Sequence, residues 1–274
     1  MLFFHLLGIL GLSFTSCNRL DSLAFVPAIP GYGEKPLRTV LLKKPLREIS
    51  GITYASPGKL VGINDEDGVL FTIDANTGQF TEQEFGKEGD YEDIVAVGEH
   101  YYVLKSNGNI HKIDSRSGKE VKVIKGDFDK FTEFESLCYD SRSRQLLMIC
   151  KTCGANAPYV NIWRVDLTAD AIISQPIATI AWKEIRRIAK NDALECQPSA
   201  AAFHPVTNEL YIIASIGKVL LRCNAAGEPL AVYGINPDIF PQPEGIAFGP
   251  DGEMYITNEG RQSKASLLVF PYRK

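Results

Sequence analysis

The chain has 274 residues, 45% of them hydrophobic and 23% charged, with a net charge of −4. These are globular values, and they leave enough chain for one all-β domain with a substantial core once a leader is set aside. Basic residues are scattered rather than clustered, which gives no electrostatic footprint for nucleic acid.

The first element is the apolar run MLFFHLLGILGLSF, followed by Thr15, Ser16 and Cys17. It is too short to span a bilayer as a stable helix and has the length of a signal-peptide apolar core ending in small residues. Phe14-Thr15-Ser16-Cys17 resembles a bacterial lipobox, in which the cysteine is lipidated and becomes the mature N-terminus. The expectation is therefore export, with Cys17 tethering the protein to a bacterial membrane and the domain facing the periplasm. The alternative is plain secretion, with Cys17 an ordinary residue. Residues 1–17 read as leader, 18–36 as linker and 37–274 as the folded domain.

A strand, LRTVLLK (37–43), precedes five copies of one pattern. The copies open with REISGITYA (47–55), DYEDIVAVG (90–98), EFESLCYDS (133–141), QPSAAAFHP (197–205) and QPEGIAFGP (242–250). Their apolar anchors Ile52, Ile94, Leu137, Ala201 and Ile246 stand 42, 43, 64 and 45 residues apart. Each opening strand runs into a turn rich in Gly, Pro, Asn or Asp. A densely apolar second strand follows: KLVGI, YYVLK, LLMIC, LYIIAS and MYIT. A third strand, for example VLFTID or NIHKID, alternates as a half-buried strand does. A fourth is visible in four copies: FTEQEF, EVKVIK, IATIAW and LAVYGI.

Four strands per repeat of this length predict a propeller blade. The expected fold is an all-β, five-bladed β-propeller. The fifth copy ends after its third strand, so strand 37–43 is expected to complete it and remove a bare edge. The 64-residue step is filled by the loop TCGANAPY (152–159) and by residues 182–193, where Ile185, Ile188 and Ala189 recur at helical spacing. The alternative is that this step hides a sixth, degenerate blade.

Five cysteines follow Cys17: Cys138, Cys150, Cys153, Cys196 and Cys223. Cys150-Lys-Thr-Cys153 ends an apolar strand and has no second CxxC or nearby His, so it reads as a structural disulfide or as plain thiols, not as a zinc or thioredoxin-like site. An odd number leaves at least one thiol over.

The runs EISGITYA, GKLVGINDEDGVLFTID, GDYEDIVAVGEHYYVLKSNGNIHKI, FESLCYD and QPEGIAFGPDGEMYITNEG together resemble the SdiA-regulated protein family over about residues 45–270. The resemblance implies a five-bladed propeller in exported or membrane-anchored bacterial proteins and implies no particular chemistry.

In a propeller the first strand of each blade lines the central channel. Aligned by the anchors, Ser50, Glu92, Glu135, Ser199 and Glu244 converge there, and Asp93 follows Glu92. Three carboxylates in a narrow ring repel one another and need a cation, basic partners or raised pKa values. The ends of the second strands supply further groups: Asn64-Asp65-Glu66-Asp67, Lys105-Ser106-Asn107, Lys151, Ser215 and Asn258-Glu259. The expected ligand-binding set is Glu92, Asp93, Lys105, Glu135, Lys151, Glu244, Asn258 and Glu259. Lys105 and Lys151 are expected to pair with the glutamates of their own blades if the ring is purely structural. Oxygen donors suit a hard cation such as Ca²⁺ or Mg²⁺, with Asn64, Glu92, Glu135 and Glu244 as its candidate ligands. NDEDG (64–68) is an acidic turn without the EF-hand spacing, and it reads as a solvated turn.

There is no G-x-S-x-G elbow, Walker A or Rossmann fingerprint. The first functional reading is a binding module that holds a small ligand, a divalent cation or a partner protein at an acidic mouth. The second is a metal-dependent hydrolase of an ester, lactone or phosphate that uses the same carboxylates. No residue is assigned a catalytic role.

Overall fold

The computed structural model describes residues 29–261 and 264–274. Cys17 and the leader lie outside them. Five antiparallel four-stranded sheets stand around one axis as a five-bladed propeller, and the third sheet carries one additional two-residue strand. The innermost strands are Ile49–Ser56, Tyr91–Val97, Thr132–Asp140, Gln197–Phe203 and Pro243–Phe248. Each touches the next around the ring, and the fifth touches the first.

The dense apolar content of the second strands follows from this arrangement. Apolar side chains of neighbouring blades meet in five clusters, one at each blade–blade junction. A second strand such as Leu210–Ile216 is packed on both faces, so Tyr211 and Ile213 join one junction while Leu210 and Ile212 join the other. The outer turns are set by local polar chemistry. In the first blade Asp74 Oδ1 accepts hydrogen bonds from the backbone N–H groups of Asn76 and Thr77, both at 3.0 Å.

The ring closes as expected. Strand Arg38–Leu41 pairs antiparallel with Ser266–Phe270, from Arg38 opposite Val269 to Leu41 opposite Ser266. It supplies the outer strand that the fifth copy lacks, and Val40 is buried against the first blade. The end of the expected linker also belongs to the fold. Tyr32 is buried in the fourth–fifth junction and donates its hydroxyl proton to the Gly252 carbonyl at 2.6 Å.

The long step holds no sixth blade. It contains the two-residue strand Ala171–Ile172, the outer strand Ala178–Ala181 and a helix, Trp182–Ala189. The helix packs against the outer strands of the third and fourth blades with Ile185 buried. It ends where Lys190 takes a left-handed conformation.

Candidate functional site

All five residues aligned by the repeat share one structural peculiarity. The pairing of each inner strand with its second strand jumps at Ser50, Glu92, Glu135, Ser199 and Glu244. Each is the extra residue of a β-bulge, a device that re-aims a side chain out of the ladder. Immediately beyond it the axis is packed tight. A Cβ on Gly51 would lie 2.6 Å from Asp93 Oδ1 of the second blade, and one on Gly245 would lie 3.0 Å from Ile52 Cγ1 of the first. Four of the bulged residues therefore stand at one mouth of a channel that closes just beneath them, and the fifth, Ser199, is buried and donates its hydroxyl proton to the Pro243 carbonyl at 2.7 Å.

The mouth is a cavity of 180 Å³ lined by Glu48, Ile49, Ser50, Asp65, Asp90, Glu92, Glu135, Lys151, Gln242, Glu244, Glu259 and Arg261. Glu92, Glu135 and Glu244 come together there with Lys151 and Glu259, as the sequence predicts. Lys151 forms an ion pair with Glu135, and Arg261 lies 3.2 Å from Glu259. Gln242 donates a hydrogen bond to Glu244.

Burial dominates the electrostatics. It pushes the Glu92 carboxyl up to about 9, aided by the charges of Glu135 and Asp90 and opposed by Lys151. Glu244 rises to about 8, again chiefly through burial and then through Glu135. Glu135 is also raised by burial, although its Lys151 partner works the other way. Asp65 rises to about 6 through burial and the neighbouring Glu48 and Glu66. Ser50 Oγ and Asp65 Oδ1 are buried without a hydrogen-bond partner.

Several predicted residues do not line the cavity, among them the buried Ser199 and Ser215. Asn64 spends its amide on its own turn, donating to the Pro45 carbonyl at 3.2 Å and accepting from the Asp67 N–H at 2.8 Å. Asn258 donates to the Ile239 carbonyl and to Ser266 Oγ, both at 3.1 Å. Lys105 does not pair with Glu92; its ammonium lies 5.0 Å from the centre of the Tyr91 ring. Asp93 is buried below the mouth, where its two oxygens accept the N–H of Ile94 at 2.8 Å and of Leu137 at 2.7 Å. It acts as a bracket between the second and third blades, and burial holds its carboxyl well above the usual range despite the two donors.

Register explains which second-strand ends reach the mouth. Asn64, Lys105 and Asn258 sit in the ladder opposite Ile49, Tyr91 and Pro243. In the third blade the pairing skips Lys151, giving that strand a bulge of its own between the pairs made by Glu133 and Phe134. The fourth blade repeats this at Ser215, whose N–H donates to Ser199 Oγ at 3.2 Å. Cys150 sits opposite Phe134 as Lys105 sits opposite Tyr91, so Lys151 stands one residue further along, as Asp65 and Glu259 do in their blades, and these three line the mouth while Lys105 stays in its ladder. NDEDG forms the expected turn, and its second residue, Asp65, lines the mouth.

Glu48, Asp90 and Gln242 were not expected at the site. Each stands two residues before a bulged position, so strand alternation alone marks them for the same side.

Two solved propellers are similar to this chain. Glutaminyl cyclase from Myxococcus xanthus aligns with a TM-score of 0.59 at 13% identity, covering 88% of this chain and 97% of that one. The PQQ-bound aldose sugar dehydrogenase from Streptomyces coelicolor aligns with a TM-score of 0.52 at 13% identity, covering 87% and 98%. At these identities the likeness is one of fold. No curated protein matches the chain. The SdiA-regulated family matches over residues 35–261, which takes in all five bulged residues and the ion pair between Glu135 and Lys151. The chain belongs to the SdiA-regulated family of β-propellers.

Proposed function

We propose that this protein is a binding module that takes a compact, positively charged ligand at its propeller mouth. An excess of carboxyl groups carries the reading: seven line the cavity with only two cations, Lys151 and Arg261, and even with Glu92 and Glu244 protonated the other five outnumber them. Both cations already have carboxylate partners. The unpartnered Ser50 Oγ and Asp65 Oδ1 add buried acceptors that face no donor.

Amines and divalent metal ions share the required chemistry. Ca²⁺ or Mg²⁺ would take oxygens of Glu92, Glu135 and Glu244, and it would supply the counter-charge that lets them ionise together. Among the described residues no three His, Cys, Asp or Glu side chains are grouped as a metal site. A small organic cation, which needs flanking acceptors rather than a shared centre, therefore ranks first. Thermal melts with putrescine, Ca²⁺ and Mg²⁺ separate the two. A ligand that binds only the folded form raises the midpoint, and a Glu92→Gln/Glu244→Gln variant should lose the rise. No shift with any of the three cations removes the proposal.

A second reading, hydrolysis of an ester, lactone or phosphate, is favoured by one observation. Glu92 holds its proton while Glu135 faces Lys151, which sets an acid and a base in one mouth. Turnover of such substrates, lost in Glu92→Gln, would support it.

The leader favours an exported protein held at a bacterial membrane through lipid on Cys17, with the mouth in the periplasm. Cys17→Ser should release the protein from the membrane fraction; a variant that stays there overturns the anchor.

A further inference from the structure

The seam that closes the ring carries a second concentration of charge, opposite in sign to the mouth. The closing strand ends with Leu41 opposite Ser266, and beyond it the Leu42 N–H still donates to the Ala265 carbonyl at 2.9 Å. One residue further, the same register sets Lys43 across from Lys264. The chain then enters the first blade through one 3₁₀ turn, Lys44–Leu46, with Pro45 near its start and Leu46 fully buried. Burying Leu46 leaves Lys44 and Arg47 on the outside. Arg47 is held in place there. Its carbonyl accepts the Gly260 N–H at 2.7 Å, and its guanidinium donates to the Arg261 carbonyl. The four cations ring a concave pocket of 410 Å³, which Leu41, Leu42 and Ala265 complete.

No carboxylate lines this pocket, although the chain as a whole carries a net charge of −4. Among the described residues, none of the four cations has a carboxylate within ion-pairing distance. Lys43 donates to a neutral partner, Gln79 Oε1, at 2.8 Å. Lys44 and Arg47 also border a groove that contains Glu48, Glu66, Asp67 and Glu82, yet they pair with none of them. Like charges directly across a strand pair are destabilising, so the seam holds a repulsion that an anion would relieve. The apolar lining adds the second half of the ligand. Leu41 is 57% exposed in the unliganded protein and would gain cover from a hydrocarbon body. We propose that the seam pocket is a second binding site, for a soluble amphiphilic anion: a carboxylate or phosphate monoester on a short aliphatic chain. Lys43 and Lys264 supply point charges, and Arg47 supplies a planar fork of donors. The concave shape and volume suit a small molecule rather than a flat membrane. The site does not depend on the mouth, and either can fail without the other.

Octyl phosphate and octanoate are the probes. Inorganic phosphate is the anion without a body, octyl glucoside the body without a charge, and phosphatidylglycerol vesicles the membrane surface. Wild-type protein is compared with Lys43→Gln/Lys264→Gln. Calorimetry should show saturable binding of octyl phosphate or octanoate that weakens roughly tenfold or more in the variant. An anion beside an amine holds it protonated and unreactive, so the bound probe should slow acetic anhydride modification of Lys43 and Lys264 roughly fivefold. Mass spectrometry reads those rates against the exposed Lys125. Without ligand the variant should melt above wild type, because two facing like charges are gone. Stability and affinity then move in opposite directions, which a purely structural role for the lysines would not produce. A variant that melts below wild type shows no repulsion to relieve and overturns the site. Binding that is unchanged in the variant, or that leaves both lysine rates unaltered, lies elsewhere and also overturns it. Octyl glucoside or inorganic phosphate binding as tightly as the probes overturns the amphiphilic class. Vesicle binding without probe binding assigns the seam to a membrane surface instead, and no binding of either probe overturns the site outright.

Discussion

Replacing Glu92 by Gln should make the unliganded protein more stable, and increasingly so as pH rises. The Glu92 carboxyl has an ordinary value of 4.5 and is held up to about 9, first by burial and then by Glu135 and Asp90. Above its ordinary value the unfolded chain loses this proton while the folded protein keeps it. Stability is therefore full at low pH and declines as pH rises toward the folded value. At about pH 7 the gap corresponds to about 3 kcal/mol at 1.36 kcal/mol per unit. Gln is uncharged and similar in shape to the protonated acid, so Glu92→Gln should recover up to that amount at about pH 7 and almost nothing near pH 4.5. For a domain of this size that is a rise in melting temperature of roughly 6–12 °C at neutral pH. Urea unfolding of both proteins across this pH range measures it, with the m-value as the control for an unaltered folded state. A stability difference that is flat with pH, or a variant less stable at neutral pH, refutes the electrostatic account of the mouth.

Glu135→Gln should act in the opposite direction. It leaves the Lys151 ammonium unpaired in a half-buried site and should lower stability by about 1–3 kcal/mol, read by the same denaturant curves. Gly51→Ala places a Cβ 2.7 Å from the Asp93 Cα at the closed neck of the channel. It should lower stability by about 1–3 kcal/mol through overpacking. Val40→Asp puts a carboxylate into the junction that closes the ring and should lower the melting temperature by roughly 8 °C or more, in keeping with a buried unpaired charge. Wild-type stability itself should fall between about pH 5 and pH 9, because Glu92 and Glu244 both sit above their ordinary values.

The blades were legible because each repeats the same local physics. Turn residues at fixed offsets, a doubly buried second strand and an alternating third strand can all be counted along the chain, and the missing outer strand pointed to strand 37–43. The bulged ring was legible in its members but not in its cause. Ser50, Glu92, Glu135, Ser199 and Glu244 align by sequence, whereas the register jumps that aim them are properties of paired strands. The same limit explains the misplaced residues. Lys105 and Lys151 both end apolar second strands, but Lys105 sits in its ladder opposite Tyr91, where the third blade has Cys150, and Lys151 stands one residue further on. Asn64 and Asn258 carry the right chemistry, but Asn64 is held by Pro45 and Asp67 and the Asn258 NH2 by Ile239 and Ser266, partners that no spacing rule reveals. The Cys150–Cys153 disulfide was one of two readings of CxxC.

The account turns on whether the mouth exchanges protons for a cation. Titration calorimetry with putrescine, and separately with Ca²⁺, at about pH 8 in two buffers of different ionisation enthalpy measures this directly, since a cation must displace the protons held by Glu92 and Glu244. The account predicts saturable binding with net proton release that disappears in Glu92→Gln/Glu244→Gln. Binding without proton release, or binding unchanged in that variant, would contradict it.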